Sequence, residues 1–293
     1  MTDSQSADSA ESSANIFQDH SRLFDTNRFV YPVVSRRSEG VSIGVNLNPD
    51  KVCNFDCIYC QVDRRSESET RFVEMESLLS EIRDVLTLVT SGQIFDHPRF
   101  AATPAALRRL NDIAFSGDGE PTTYRNFDDI IGQVADIKQQ LAADCRMVLI
   151  TNASMFHREH VQRGLQIMDD HRGQIWAKLD AGTEDYYKLI ERTTIPFQRI
   201  LDNITLAAQQ RPIVIQSLFM NVNGEPPSKA EITAWCDRLS EIVQAGGQID
   251  LVQIYTVARQ PAESFVTALT EDQLQEIAQR LVGRTSLQTA VYP

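Results

Sequence analysis

The strongest constraint on this chain is an alternation. Six short apolar runs, rich in valine and isoleucine, are separated by longer stretches with helical periodicity. The runs are Ser42–Leu47, Asp112–Ser116, Met147–Thr151, Ile175–Leu179, Ile213–Phe219 and Leu251–Val257. Such runs suit strands buried on both faces of a parallel sheet. Between the first two, Met75, Leu78, Leu79, Ile82, Val85, Leu86 and Val89 recur at spacings of three, four and seven, one face of a helix. Phe127, Ile130, Ile131, Val134, Ile137 and Leu141 repeat the pattern, with Asn126 placed as an N-cap. Ser228 with Glu231, and Thr270 with Gln273, show the capping-box spacing ahead of two further helical runs.

Strand alternating with helix implies right-handed βαβ units around a parallel sheet. About six units are present, fewer than a closed barrel needs. The expected fold is therefore α/β: a partial (β/α)6 barrel of parallel strands with outer helices. A doubly wound sheet is the alternative. In either, the active site belongs at the C-terminal ends of the strands. Residues 15–293 read as a single domain with a C-terminal helical extension. Residues 1–14, small, polar and acidic, read as a disordered tail.

The net charge of −12 disfavours non-specific nucleic-acid binding and an anionic membrane surface. No apolar run reaches the roughly 18 residues of a membrane helix. No basic segment followed by an apolar one marks a secretory leader. The expected location is cytoplasmic. Thiols stay reduced there, so clustered cysteines read as metal or catalytic sites.

Three of the five cysteines, Cys53, Cys57 and Cys60, fall in one C-x3-C-x2-C run between the first strand and the first helix. Thiolates this close favour zinc or iron–sulfur. Structural zinc normally takes four closed ligands, and His20, His97, Cys145 and Cys236 lie far off in sequence. Three cysteines suit a cubane that leaves one iron open. A zinc site completed by a distant ligand is the alternative.

Polar residues also mark the later strand ends. Ser116-Gly117-Asp118-Gly119-Glu120-Pro121-Thr122 follows the second strand, and its glycines would let backbone approach a ligand closely. Lys178 and Asp180 interrupt the fourth strand. They read as a pair pointing into the cavity or as a buried ion pair that only fixes the barrel. Lys178, a lysine in an apolar strand, would have a depressed pKa and be a Schiff-base candidate. Gln216, Gln253 and Tyr255 are similar polar points. Arg36 and Arg37, ahead of the first strand, read as an anion site or as a solvated turn.

The C-x3-C-x2-C run with Tyr59 before its last cysteine, and the Gly117–Pro121 turn one strand later, resemble the radical S-adenosylmethionine superfamily. With Pro32–Arg37 and Lys178-Leu179-Asp180-Ala181-Gly182, they resemble a poorly characterised bacterial group related to the wyosine-forming enzymes of tRNA. The resemblance implies a [4Fe–4S] cluster on Cys53, Cys57 and Cys60, with S-adenosylmethionine on the open iron. It implies S-adenosylmethionine contacts from Gly117, Asp118, Gly119 and Glu120, and from Thr151, Asn152 and Gln216 at later strand ends. It implies Lys178 and Asp180 as catalytic residues and an electron donor such as flavodoxin or ferredoxin. The implied activity is reductive cleavage of S-adenosylmethionine to a 5′-deoxyadenosyl radical that abstracts hydrogen from an unidentified substrate. A tRNA-modifying enzyme of the wyosine type is a rival reading, as is a non-catalytic iron–sulfur or zinc protein. No cysteine precedes Cys53, which counts against the second cluster of the wyosine type, and the acidic total counts against tRNA.

Overall fold

The computed structural model describes residues 24–293; the N-terminal segment read as a disordered tail lies outside them. All six expected strands form, each within two residues of its expected start and end: β2 (Gly40–Val45), β3 (Leu110–Phe115), β4 (Arg146–Thr151), β5 (Gly173–Lys178), β6 (Ile213–Leu218) and β8 (Ile249–Tyr255). They are consecutive parallel neighbours in one sheet. Two further strands flank them. β1 (Val30–Ser35) pairs antiparallel with β2, and β10 (Thr289–Tyr292) pairs parallel with β8. The eight strands make a curled half-barrel whose edges, β1 and β10, do not pair. The C-terminal extension is thus a helix followed by an edge strand.

Helices cover the outside. They are α1 (Met75–Thr90), α2 (Phe127–Leu141), α3 (Glu159–Asp170), α4 (Glu184–Glu191), α5 (Phe197–Gln210), α6 (Lys229–Gln244) and α7 (Glu271–Val282). A small ribbon, β7 (Met220–Val222) with β9 (Val266–Ala268), sits apart from the sheet. The caps behave unequally. Thr270 and Gln273 complete the capping box of α7. Ser228 caps α6, but the Glu231 carboxylate turns away to Gly182 N and the Thr183 hydroxyl. Asn126 occupies the N-cap of α2 without a side-chain hydrogen bond.

Strand alternation sorts the core into two faces. Ile43, Ile113, Phe115, Met147, Leu149, Ile175, Ile215, Val252 and Ile254 point outward into the large core beneath the helices. Ala114, Val148, Trp176 and Val214 point inward as a second cluster, with Ile150 and Leu251 against it. The same parity turns Ser42, Asp112, Ser116, Lys178 and Gln216 inward. No helix among the described residues is long and apolar enough to cross a membrane.

Candidate active site

The loop after β2 carries the three cysteines to the C-terminal rim of the sheet. Its apolar residues Phe55, Ile58 and Tyr59 are buried, while Cys53, Cys57 and Cys60 stay half-buried. Backbone bonds moor it to the end of α4: Asp56 N to Glu191 O at 3.1 Å and Ile58 N to Ile190 O at 2.9 Å. Asn54 ties it to the end of β4, donating to Ser154 Oγ at 2.7 Å and accepting from Asn152 Nδ2 at 2.9 Å. All three cysteines line one cavity of about 380 Å³.

The sulfurs have different neighbours. Cys57 Sγ is 2.7 Å from Glu191 Oε2, and Arg64 Nη2 donates to Cys60 Sγ at 3.6 Å. Burial pushes the Cys53 thiol up, and burial with the Glu191 charge pushes Cys57 up further. Glu191 itself is pushed up to about 8, by burial and then by the charge of Asp180. Both thiols therefore hold their protons until a metal displaces them. Among the described residues no three donor side chains converge as a single ion would require. A cubane makes no such demand, because each thiolate sits on a different iron. Cys145 and Cys236 are buried in other elements and supply no fourth sulfur. Three soft donors on one rim, beside an open cavity, fit a three-thiolate iron–sulfur cluster better than a closed zinc site.

The turn after β3 packs against this loop. A Cβ on Gly117 would stand 2.2 Å from Asn46 Oδ1, and one on Gly119 would stand 2.2 Å from Val52 O. Glycine is thus needed here for packing of the two loops on each other, a reason the sequence reading did not supply. Asn46, at the end of β2, cradles Asp118: its Nδ2 donates to Asp118 Oδ2 at 2.6 Å and its Oδ1 accepts from Asp118 N at 3.1 Å. Glu120 is 3% exposed and joins the rims of β3 and β4. It accepts from Thr122 N, the Thr122 hydroxyl, the Thr151 hydroxyl at 2.6 Å and Asn152 N at 2.7 Å. Gly117, Asp118, Gly119, Glu120, Thr151 and Asn152 all line the cavity with the cysteines.

Lys178 lines it too, beside the cysteine loop, with its Nζ 5.0 Å from the Tyr59 ring centroid. Its Nζ is 2.9 Å from Asp180 Oδ2 and donates to Tyr255 Oη at 3.0 Å. Asp180 lies buried behind it, accepting from Leu218 N at 2.7 Å and from the Tyr59 hydroxyl. Burial alone would lower the Lys178 pKa. Asp180 first, then Tyr255 and Glu191, outweigh burial and hold it well above the usual lysine range. This corrects the expectation of a depressed pKa.

Asp180 does not itself line the cavity, and nor does Gln216. It is fully buried, and its amide donates to Gln253 Oε1 at 2.8 Å across adjacent strands; neither lines the cavity. Conversely, sequence reading missed Glu191, Asn46 and Asn54. Glu191 carried a faint signal, an acid on the apolar face of α4 beside Tyr187 and Ile190.

Comparison with known proteins bears on the family and the fold. The family model described as the Radical SAM superfamily matches residues 47–236, more than half the chain. A UPF0026 protein of Helicobacter pylori is 27% identical over 252 residues, covering 83% of this chain and 70% of that protein. A protein of Brachyspira hyodysenteriae described as GTPase Obg is 24% identical over 270 residues, covering 91% of this chain but 35% of that protein. No glycine here is followed by lysine, so the G-x4-G-K-[ST] phosphate loop of a GTPase is absent from these 293 residues. Among solved structures, Streptococcus suis SuiB bound to S-adenosylmethionine aligns with TM-score 0.57 at 12% identity, covering 88% of this chain and 52% of SuiB. TYW1 with a lysine-pyruvate adduct bound aligns with TM-score 0.53 at 16% identity, covering 95% of this chain and 83% of TYW1. These likenesses are of fold.

Proposed function

The chain belongs to the radical SAM superfamily, whose members use a [4Fe–4S] cluster and S-adenosylmethionine, and from that premise we propose that it is a radical enzyme whose cluster is held by Cys53, Cys57 and Cys60. The observation that carries the reading is the shared rim: the three cysteines and the Gly117–Glu120 turn face one cavity. When bound, the cluster and S-adenosylmethionine supply one electron, from a donor such as flavodoxin or ferredoxin, and a 5′-deoxyadenosyl radical that takes hydrogen from the substrate.

The chain's own residues have distinct tasks in this reading. Asn54 and the end of α4 hold the cysteine loop at one height above the sheet. Arg64, at Cys60, offsets the negative charge of a thiolate-ligated cluster. Thr151 and Asn152, fixed by Glu120, present the end of β4 to the methionyl and ribose parts of S-adenosylmethionine. Lys178 and Asp180 form the catalytic pair: Asp180 keeps the ammonium charged, and Lys178 offers N–H donors to a bound oxygen.

Anaerobic reconstitution tests the reading. The expected outcome is about four irons per chain and 5′-deoxyadenosine on reduction with dithionite in the presence of S-adenosylmethionine. Cys53→Ala, Cys57→Ala and Cys60→Ala should each lose the cluster and the product. A fully loaded wild-type protein that forms no 5′-deoxyadenosine would sink the proposal, as would one zinc per chain.

A further inference from the structure

Two groups inside the half-barrel have no task in that chemistry. The first is Arg37. It leaves the turn between β1 and β2, lines the cavity, and sets its guanidinium 5.1 Å from the Tyr255 ring centroid and 5.9 Å from that of Trp176. It makes no hydrogen bond or ion pair among the described residues. A guanidinium held over aromatic faces keeps its N–H edge for a planar anion. The second is Asp112, on β3 in the same cavity. Its side chain is 1% exposed and lines the same cavity. Oδ1 accepts from the Ser42 hydroxyl, and Oδ2 has no hydrogen-bond partner. A buried carboxylate oxygen without a donor costs free energy that a bound donor would recover. Burial raises the Asp112 pKa, against the pull of the Ser42 and Ser38 side chains and of the Arg146 and Arg37 charges.

The same cavity also has an apolar wall, where Ala114, Val148 and Trp176 form one patch. A ligand for this end of the cavity thus needs an anionic head for Arg37, a hydrogen-bond donor for Asp112 and an apolar body. We propose that the interior of the half-barrel is a substrate site for a small amino or hydroxy carboxylic acid, its carboxylate on Arg37 and its amine or hydroxyl on Asp112 Oδ2. The proposal rests on the radical-enzyme reading, because it assigns the substrate class for that same cavity. Asp112 sits near the N-terminal end of β3, away from the cysteine loop at the strand ends, which leaves the rim to S-adenosylmethionine.

The test is calorimetric titration of the anaerobically reconstituted holoenzyme, with S-adenosylmethionine present, against five probes sharing one body: L-phenylalanine, L-phenyllactate, phenylpyruvate, 3-phenylpropionate and 2-phenylethylamine. Phenylalanine and phenyllactate should bind at least about tenfold tighter than the other three, each of which lacks the carboxylate or the donor. Arg37→Met should bring phenylalanine down to the level of phenylethylamine. Asp112→Asn should bring it to the level of phenylpropionate. Equal affinities across the series, a preference for phenylpyruvate, or no binding by the wild type overturns the proposal. So does a variant pair that changes melting temperature alone, which would make Arg37 and Asp112 a structural charge pair. The wild-type series decides the matter even where a variant does not fold. 5′-Deoxyadenosine formation by the same wild-type sample separates the two ideas: cleavage without probe binding removes the substrate site and leaves the radical reading standing.

Discussion

At the scale of single residues, the site is organised by buried acids that serve the scaffold. Glu120 is the clearest. The resemblance assigned it to S-adenosylmethionine, yet four protein donors already converge on its carboxylate. Its nearest contribution to ligand binding is therefore the position it gives Thr151 and Asn152. Glu120→Gln keeps the shape but replaces one acceptor oxygen by a donor facing other donors. The expected cost is about 2–3 kcal/mol in denaturant unfolding, with S-adenosylmethionine affinity falling alongside. A variant that unfolds like wild type would show that these hydrogen bonds contribute nothing net. Asp180 and Glu231 act the same way, one holding Leu218 N and Lys178, the other holding Gly182 N and Thr183. Each acid was visible as a letter. Some of the donors that occupy it came from strands and helices tens of residues away, Thr151 and Asn152 for Glu120 and Leu218 for Asp180.

At the scale of elements, close approach decides which glycines matter. Gly182 follows β5, and a Cβ there would lie 2.0 Å from Trp235 N, in the backbone of α6. Backbone cannot swing aside as a flexible side chain can. Gly182→Ala should therefore cost about 3 kcal/mol or more, through overpacking. Gly132 is the control: it sits inside α2, and its added Cβ would meet only Ile167 Cδ1 at 3.8 Å. Gly132→Ala should stabilise by about 0.5–1 kcal/mol, from helix propensity alone. Thermal melts of the two variants, moving in opposite directions, check both. The strands tell a parallel story. β1 escaped the sequence reading because Pro32 removes a backbone donor, which only an edge strand tolerates. Its pairing with β2, Val30 to Val45 through Ser35 to Gly40, makes it one.

At the scale of the whole molecule, the three thiols are separable from the hydrophobic core, but the loop that carries them is not. Phe55, Ile58 and Tyr59 belong to the large outer core beneath the helices, while Cys53 and Cys57 pack only at its margin. Removing the cluster with a chelator should leave far-UV circular dichroism unchanged and make the largely exposed residues 60–74 newly sensitive to protease. Collapse of the whole fold on chelation would show instead that the cluster is part of the core. The sequence by itself determined the six parallel strands, four of the helices, the complete cap of α7 and the soft-metal character of Cys53, Cys57 and Cys60. These are local: periodicity, cap chemistry and donor type act over a few residues. Only the tertiary structure decided that Glu191 meets Cys57, 134 positions away, that the Asp180 carboxylate lies 2.9 Å from Lys178 Nζ, that Gln216 spends its amide on Gln253, and that Arg37 faces the same cavity as Asp112. Those outcomes depend on strand parity and on which element ends share a rim, and a curled sheet fixes both only when all its strands have paired.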